Sequence, residues 1–248
     1  MEVEGRKVIT NSQMVGAGAA EILDTYLSPE TYDGWELRYM SHTLRRRQGR
    51  KWSRLLLHQG RFASVKNRAG NGNEIAGDYT FSYGAHCNWD LLGGRLNIMA
   101  GGQADVNVGF LYNTRNSNNP AQARASLNLS PSAAATYRMR IWRVPLSVRY
   151  EVSAPVIGLM FSPNYGQSYY EIFNKGNYDH NVVPTTFVST PSLRQMLAVD
   201  ITLRRTALRV GWLGDYRQSD VNGLKYHSYT NLFVIGFVRS FSVTNMMP

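Results

Sequence analysis

Apolar and polar positions alternate with a period of two along most of the chain. Between residues 95 and 113, Leu96, Ile98, Ala100, Ala104, Val106, Val108, Phe110 and Tyr112 share one face, and Asn97, Met99, Gln103, Asp105, Asn107 and Asn113 share the other. Within 123–141, Leu127, Leu129, Ala133, Tyr137 and Ile141 oppose Arg124, Ser126, Asn128, Ser130 and Arg138. Within 145–160, Leu146, Val148, Tyr150, Val152 and Met160 oppose Ser147, Arg149, Glu151 and Ser153. Leu193, Leu197, Val199 and Ile201 oppose Arg194 and Asp200, and Leu208, Val210 and Trp212 oppose Arg209, Asp215 and Arg217. Tyr79, Phe81 and Tyr83 oppose Asp78, Thr80, Ser82 and His86. Successive side chains of a strand point to opposite faces, so period two predicts strands. The runs extend over roughly 12 to 18 residues, against about 5–6 in an ordinary globular strand. A tilted membrane-spanning strand needs about 9–11.

Long alternating strands without helix-period segments predict a single domain over 1–248. The predicted fold is all-β, a closed antiparallel up-and-down transmembrane barrel of the bacterial outer-membrane type. The pattern places about ten strands, within a range of 8–12, near 7–19, 34–46, 51–66, 75–90, 95–113, 123–141, 145–160, 192–204, 206–217 and 225–241. The first, third and last alternate less cleanly. An even count puts both termini on one side, the periplasmic side in bacterial barrels. Short periplasmic turns are then expected at 47–50, 91–94, 142–145 and 204–206, and longer outer loops at 20–33, 67–74, 114–122, 161–191 and 218–224. Arg45, Arg46, Arg47, Arg50, Lys51, Arg138, Arg140, Arg143, Arg204, Arg205 and Arg239 gather at the periplasmic end, while the outer end is rich in asparagine. A basic ring beside phospholipid headgroups is physically sensible, although turns are polar in any protein. The alternative is a soluble basic all-β binding protein. Strand length counts against it, as does a polar face of Gly, Ser, Asn and Arg/Asp in place of a Lys/Glu coat. Aromatic residues near strand ends (Trp35, Trp89, Tyr112, Trp142, Trp212, Tyr216) also favour the membrane reading.

Composition narrows the picture. The mean hydropathy of −0.32 looks soluble, but lipid-facing and lumen-facing residues cancel in a barrel average. No apolar run is long enough for a transmembrane helix. The opening Met1-Glu2-Val3-Glu4-Gly5 lacks the charged and apolar regions of a leader, and the expectation is that a signal peptide has been removed. The net charge is +10, with 22 Arg against 5 Lys. Arginine dominates where guanidinium pairs with carboxylate or phosphate in confined geometry, so nucleic acid is not the expected partner. The single cysteine, Cys87, excludes an internal disulfide and a cysteine-based zinc site. No metal, cofactor or catalytic motif stands out, and the glycines at 101, 102 and 109 lie within a strand, which excludes a phosphate loop.

Several loop phrases resemble a family of uncharacterised outer-membrane barrels from Bacteroidota, the DUF3316 domain. They are Ile22-Leu23-Asp24-Thr25-Tyr26-Leu27-Ser28-Pro29, Asn67-Arg68-Ala69-Gly70-Asn71-Gly72-Asn73, Arg115-Asn116-Ser117-Asn118-Asn119-Pro120-Ala121-Gln122-Ala123-Arg124, and Met160-Phe161-Ser162-Pro163-Asn164-Tyr165-Gly166-Gln167-Ser168-Tyr169-Tyr170-Glu171-Ile172-Phe173. The resemblance implies a bacterial outer-membrane location and implies no activity. The final strand, Asn231 to Phe241, resembles the C-terminal recognition strand of outer-membrane proteins through Gly236 and Phe241.

Two groups of residues are candidate sites. The lumen face carries Asp78, Asp105, Arg124, Arg149, Glu151, Arg194, Asp200, Arg209 and Asp215, with Arg38, Arg54 and Arg217 beside them. In so narrow a barrel these form either a salt-bridged plug or a narrow anion-favouring pore. At the outer mouth, Asn67, Asn71, Asn113, Asn116, Asn118 and Asn119 are expected to bond with the 161–191 loop, which carries Tyr165, Tyr169 and Tyr170. That cluster suits carbohydrate or peptide contact, or simple packing and turn architecture. A hydrolase acting on lipid or peptide would need a hydroxyl beside an oriented imidazole. His86 with Ser82, His58 with Ser64, and Asp179-His180 near Asp215 and Asp220 are the pairings on offer. Expected partners are outer-membrane lipids, lipopolysaccharide among them, and envelope proteins. The favoured roles are non-enzymatic: a narrow pore, or an accessory subunit of an envelope assembly.

Overall fold

The computed structural model describes residues 6–117, 119–203 and 206–243. They form one closed antiparallel sheet of β1 (Lys7–Asp24), β2 (Ser28–Arg47), β3 (Trp52–Asn67), β4 (Asn73–Leu91), β5 (Leu96–Asn113), β6 (Ala121–Ile141), β7 (Val144–Ser153), β8 (Ile157–Phe161), β9 (Val182–Thr186), β10 (Leu193–Leu203), β11 (Thr206–Val221) and β12 (Leu224–Val243). β1 pairs with β12 and β5 with β6, which closes the barrel. β7 and β8 both pair with β6, and β9 and β10 pair with β8 and β7 in turn. Each of these couples fills one place in the wall, so the barrel has ten positions. No described helix is long and apolar enough to cross a membrane.

The first strand begins and the last ends at the same rim, as an even count requires. The described arginines expected at this inner rim lie there. Arg204 and Arg205 lie outside the described residues, as does Asn118. The outer connections differ from expectation. The 20–33 segment is mostly strand, with only Thr25–Leu27 between β1 and β2. The last outer connection is the two-residue turn Asn222-Gly223, with φ of 55° and 73°, the type I′ geometry that Asn-Gly favours between twisted strands. Among the described residues only 162–181 is a long connection, and it contains the short helix α1 (Tyr169–Phe173).

The 145–160 strand is interrupted. Residues 154–156 lose regular strand pairing beside Pro155, which has no N–H to give, although Ala154 N and Val156 N still donate to Pro131 O and Leu129 O of β6. The side-chain phase shifts there, because Ser153 and Met160 both line the lumen while Ile157 and Leu159 are exposed. Met160 therefore faces inward, a correction to the uninterrupted alternation.

The outer wall is apolar. Trp35, Leu37, Tyr39, Val108, Phe110, Leu129, Phe233, Ile235 and Phe237 are all exposed, and a soluble monomer seldom exposes more than a few hundred Å² of contiguous apolar surface. The lumen is not uniformly polar. Ala20, Ile22, Leu27, Tyr32, Ala63, Val65, Ala76, Leu111 and Tyr226 pack one apolar cluster. Met14, Met40, Met196, Leu213, Leu232 and Val234 pack a second. Inward apolar residues, Ala63 and Val65 of the first cluster among them, explain the poor alternation of the third strand. Leu55, Leu57, Ala63 and Val65 of β3 point inward, and Arg54, His58 and Lys66 fall on its outward face. Arg54 is thus not a lumen charge. It sits near the inner end of β3, opposite Arg45 of β2.

Candidate functional site

The lumen charges assemble into a closed ring. Arg38 Nε donates to Glu36 Oε1 at 2.7 Å, and Arg38 Nη1 donates to Asp215 Oδ2 at 2.6 Å. Arg217 Nη2 meets the same Asp215 oxygen at 3.0 Å, and its Nη1 reaches Asp78 Oδ1 at 3.3 Å. Asp78 also accepts from Arg61, and Arg61 Nη1 returns to Glu36 Oε2 at 3.3 Å. Three guanidiniums and three carboxylates alternate, so the ring is neutral. Arg61 also donates to Ser228 Oγ at 2.8 Å and to Tyr226 OH at 3.2 Å, and Asn107 Nδ2 donates to Asp78 Oδ1 at 3.1 Å. The network thereby ties β2, β3, β4, β5, β11 and β12 across the lumen. Each buried charge costs several kcal/mol to desolvate, roughly, and only full pairing repays that cost.

A second set lies on the other side of the methionine cluster. Arg209 grips Asp200 with two bonds of 2.6 and 2.8 Å and reaches Ser12 Oγ at 3.4 Å. Arg149 Nε bonds Glu151 Oε1 at 2.5 Å, and Arg149 Nη1 donates to Thr136 Oγ1 at 2.9 Å. His42 Nδ1 stands 3.7 Å from Glu151 Oε2 across the lumen. Toward the outer mouth instead, Arg124 lies 3.6 Å from Asp24 and 3.4 Å over the Tyr226 ring. Asp105 accepts from Gln103 and Ser130, and Arg194 has no ion pair among the described residues. These last two line a cavity of about 140 Å³ together with Arg61, Asp78, Asp215 and Arg217 of the ring. Glu36, Arg61, His42 and Asp24 were not singled out from sequence. Glu36 and Arg61 were legible in hindsight, since each holds the inward parity of its strand.

The outer mouth divides into two separate clusters. In the first, the Asn67 carbonyl oxygen accepts from Asn71 N and Gly72 N, and its amide donates to Glu30 at 2.9 Å. Asn113 accepts from Arg115 N and Asn116 N and donates to Tyr32 OH at 2.9 Å. Asn116 Nδ2 donates to Leu27 O at 3.1 Å, and Asn119 N donates to the Asn116 side chain. These asparagines satisfy backbone groups of tight turns. Their described hydrogen bonds do not run to the 161–191 segment, contrary to expectation.

The second cluster is the 162–181 cap. Tyr169 OH accepts from Ala123 N at 2.6 Å, and its ring meets Tyr26 edge-on at 5.8 Å. Tyr26 OH donates to Gln167 O at 3.0 Å. Burial, with the Asp24 and Glu171 charges nearby, pushes the Tyr26 phenol up to about 12, so it stays a donor at neutral pH. Burial likewise raises the Tyr169 phenol. Asn222 Nδ2 closes the far side, donating to Ser162 O and His180 O. Tyr165 and Tyr170 point to solvent. Helix α1 is short, and a capping box holds its start: Glu171 N donates to Ser168 Oγ at 3.3 Å and Ser168 N donates to Glu171 Oε2 at 2.8 Å. The Ser168 backbone bond holds the Glu171 carboxyl below the usual range. Ser168→Ala should cost about 0.5–2 kcal/mol locally. Hydrogen exchange should then speed up in 168–174 while the strands stay protected.

The candidate hydrolytic pairs do not form. His86 Nε2 lies 2.6 Å from Ser132 Oγ, not against Ser82, and its Nδ1 has no partner. The adjoining space is about 20 Å³, and no carboxylate orients the ring. His58 Nδ1 pairs with Tyr79 OH on the outward face. Asp179 and His180 form an exposed surface pair, whereas Asp215 is buried in the ring. Among the described residues no group of His, Cys, Asp and Glu could hold a metal ion.

A family profile described as "Protein of unknown function (DUF3316)" matches residues 2–247. No curated protein matches the chain. Similar solved structures include the translocator domain of the autotransporter NalP from Neisseria meningitidis, at 9% identity and a TM-score of 0.40, covering 96% of this chain and 88% of that one. The outer membrane protease OmpT from Escherichia coli is similar at 8% identity and a TM-score of 0.46, covering 95% and 97%. Neisserial surface protein A is similar at 10% identity and a TM-score of 0.35, covering 96% and 97%.

Proposed function

The chain belongs to the DUF3316 family, and from that premise we propose that it is an outer-membrane β-barrel with a closed, non-conducting lumen that serves as an accessory subunit of an envelope assembly. The observation that carries this reading is the neutral ring of Glu36, Arg38, Asp215, Arg217, Asp78 and Arg61. A pore that favours anions needs guanidiniums free to meet them. Here the ring guanidiniums are paired with carboxylates, and the methionine cluster lies behind them. The membrane location is supported by the apolar outer wall and by the arginines at the inner rim, where anionic headgroups would meet them. Outer-membrane lipids, lipopolysaccharide included, are the proposed surroundings. The exposed Tyr165, Tyr170, Phe173 and Tyr178 of the cap are the proposed surface for an envelope protein.

Planar-bilayer recording tests the closed lumen. The purified chain should insert without steady unitary conductance. Stable, reproducible channels with anion selectivity would overturn the reading in favour of a pore.

A further inference from the structure

We propose that the lumen cavity is a binding site for a small zwitterion of the free amino-acid type, with Arg194 taking the carboxylate and Asp105 the ammonium. The inference starts from a contrast. Nearly every other charged side chain in the lumen meets an opposite charge within 4 Å, in the ring, in the Arg209–Asp200 and Arg149–Glu151 pairs, or in Arg124–Asp24. Among the described residues, Arg194 and Asp105 do not, and both line the cavity of about 140 Å³. Glu74 also lacks a cation, but it bonds Asn113 and is not part of the cavity.

Arg194 is poorly satisfied. Its Nε is buried without an acceptor, and its Nη2 finds only the Met40 sulfur at 3.9 Å. The charges acting on it come from Glu151, Asp215, Arg38 and Asp105, and the first two are already engaged by other arginines. A guanidinium left so can take a carboxylate through two parallel N–H bonds. Asp105 accepts one bond on each oxygen, from Gln103 Nε2 at 2.7 Å and Ser130 Oγ at 2.5 Å. Each oxygen keeps an acceptor site free for an ammonium. The remaining wall combines the paired ring side chains Arg61, Asp78, Asp215 and Arg217 with hydroxyls and amides such as Ser126 and Asn128. Such a wall suits a polar side chain and not an acyl tail.

The proposed entry is where the ladder lapses between the Ser153–Arg194 pair and the Ile157–Thr186 pair. Residues 154–156 keep bonds to β6, from Ala154 N to Pro131 O and Val156 N to Leu129 O, but on their other side they face the excursion 187–192, whose Ser189 O accepts from Asp220 N at the outer end of β11. Pro155, Thr190 and Ser192 border both this interruption and the cavity. The excursion 187–192 is the proposed way in, and binding in a cavity walled in part by the paired ring is compatible with a lumen closed to ions.

The test uses the purified full chain in detergent micelles and isothermal titration with glycine, L-serine and L-glutamate. Acetate and methylammonium serve as the two half-ligands. At least one amino acid should bind saturably at one site, with each half-ligand about tenfold weaker or more, as expected when one charged hydrogen-bonding partner is lost. Arg194→Met and Asp105→Asn should each weaken binding by a similar factor, checked on protein that keeps heat-modifiable gel migration. The ligand series on the unaltered chain needs no variant to fold. Absence of saturable binding for all three amino acids would mean that the cavity holds only water and would overturn the proposal. So would acetate binding as tightly as the amino acids. Neither result bears on the conductance test of the closed lumen.

Discussion

Arg38→Met should destabilise the barrel by about 3–5 kcal/mol, because it removes one guanidinium and leaves its carboxylates buried. Arg38 is 1% exposed and bridges Glu36 on its own strand to Asp215 across the lumen. After the substitution Glu36 keeps only Arg61 at 3.3 Å, and Asp215 keeps only Arg217. The neutral ring then carries one excess negative charge in a site shielded from water. Methionine fills much of the same volume, so the cost is electrostatic more than packing. Arg54→Met provides the contrast. Arg54 lies on the outward face near the inner rim, and its loss should change stability by no more than about 0.5 kcal/mol. Urea unfolding in lipid vesicles, followed by tryptophan fluorescence, measures both. Equal effects at the two positions would show that the ring does not hold the barrel together.

Ile235→Arg should cost about 2–4 kcal/mol, the penalty for a guanidinium facing lipid near the bilayer midplane. Ile235 is 48% exposed and lies well inside β12, paired with Val15 and Val210 of its two neighbours. In a soluble barrel this position would face water, and arginine there would be nearly neutral. The substitution therefore tests the membrane reading as well as the face. Ala121→Arg, on the outward side at the outer end of β6, should cost about 0–1 kcal/mol, because a guanidinium near the interface can reach headgroups. A gradient with depth is the expected outcome in vesicle refolding. Equal tolerance at both positions would remove the bilayer from the account.

The alternation of β5, β6 and β11 was legible because inward polar and outward apolar residues differ in kind at every second position. β3 was less legible for a definite reason. Its inward face carries Leu55, Leu57, Ala63 and Val65, which close the lumen, while His58 and Lys66 point outward. A strand that mixes apolar and polar residues on both faces loses the contrast that the period-two signal depends on. The break at 154–156 was missed because Met160 has the chemistry of either face. The asparagines at the outer mouth drew attention as a binding group, yet Asn67 and Asn113 are buried in turn hydrogen bonds. Composition alone does not separate an amide that completes a turn from one that faces a ligand.

What the sequence determined by itself is the fold class and most of the in-or-out assignment, including the inward-facing Asp78, Asp105, Arg194 and Asp215. Those follow from strand geometry, which is local and repeats every two residues. What only the tertiary structure decided is which charge meets which. Arg38 and Asp215 lie 177 residues apart, and their contact depends on closure, on the register of each ladder and on the width of the lumen. The same long-range geometry pairs most lumen charges and leaves Arg194 and Asp105 unpaired on one cavity. A plug and a pore share the same alternating pattern, because the pattern reports where a side chain points and not what lies opposite.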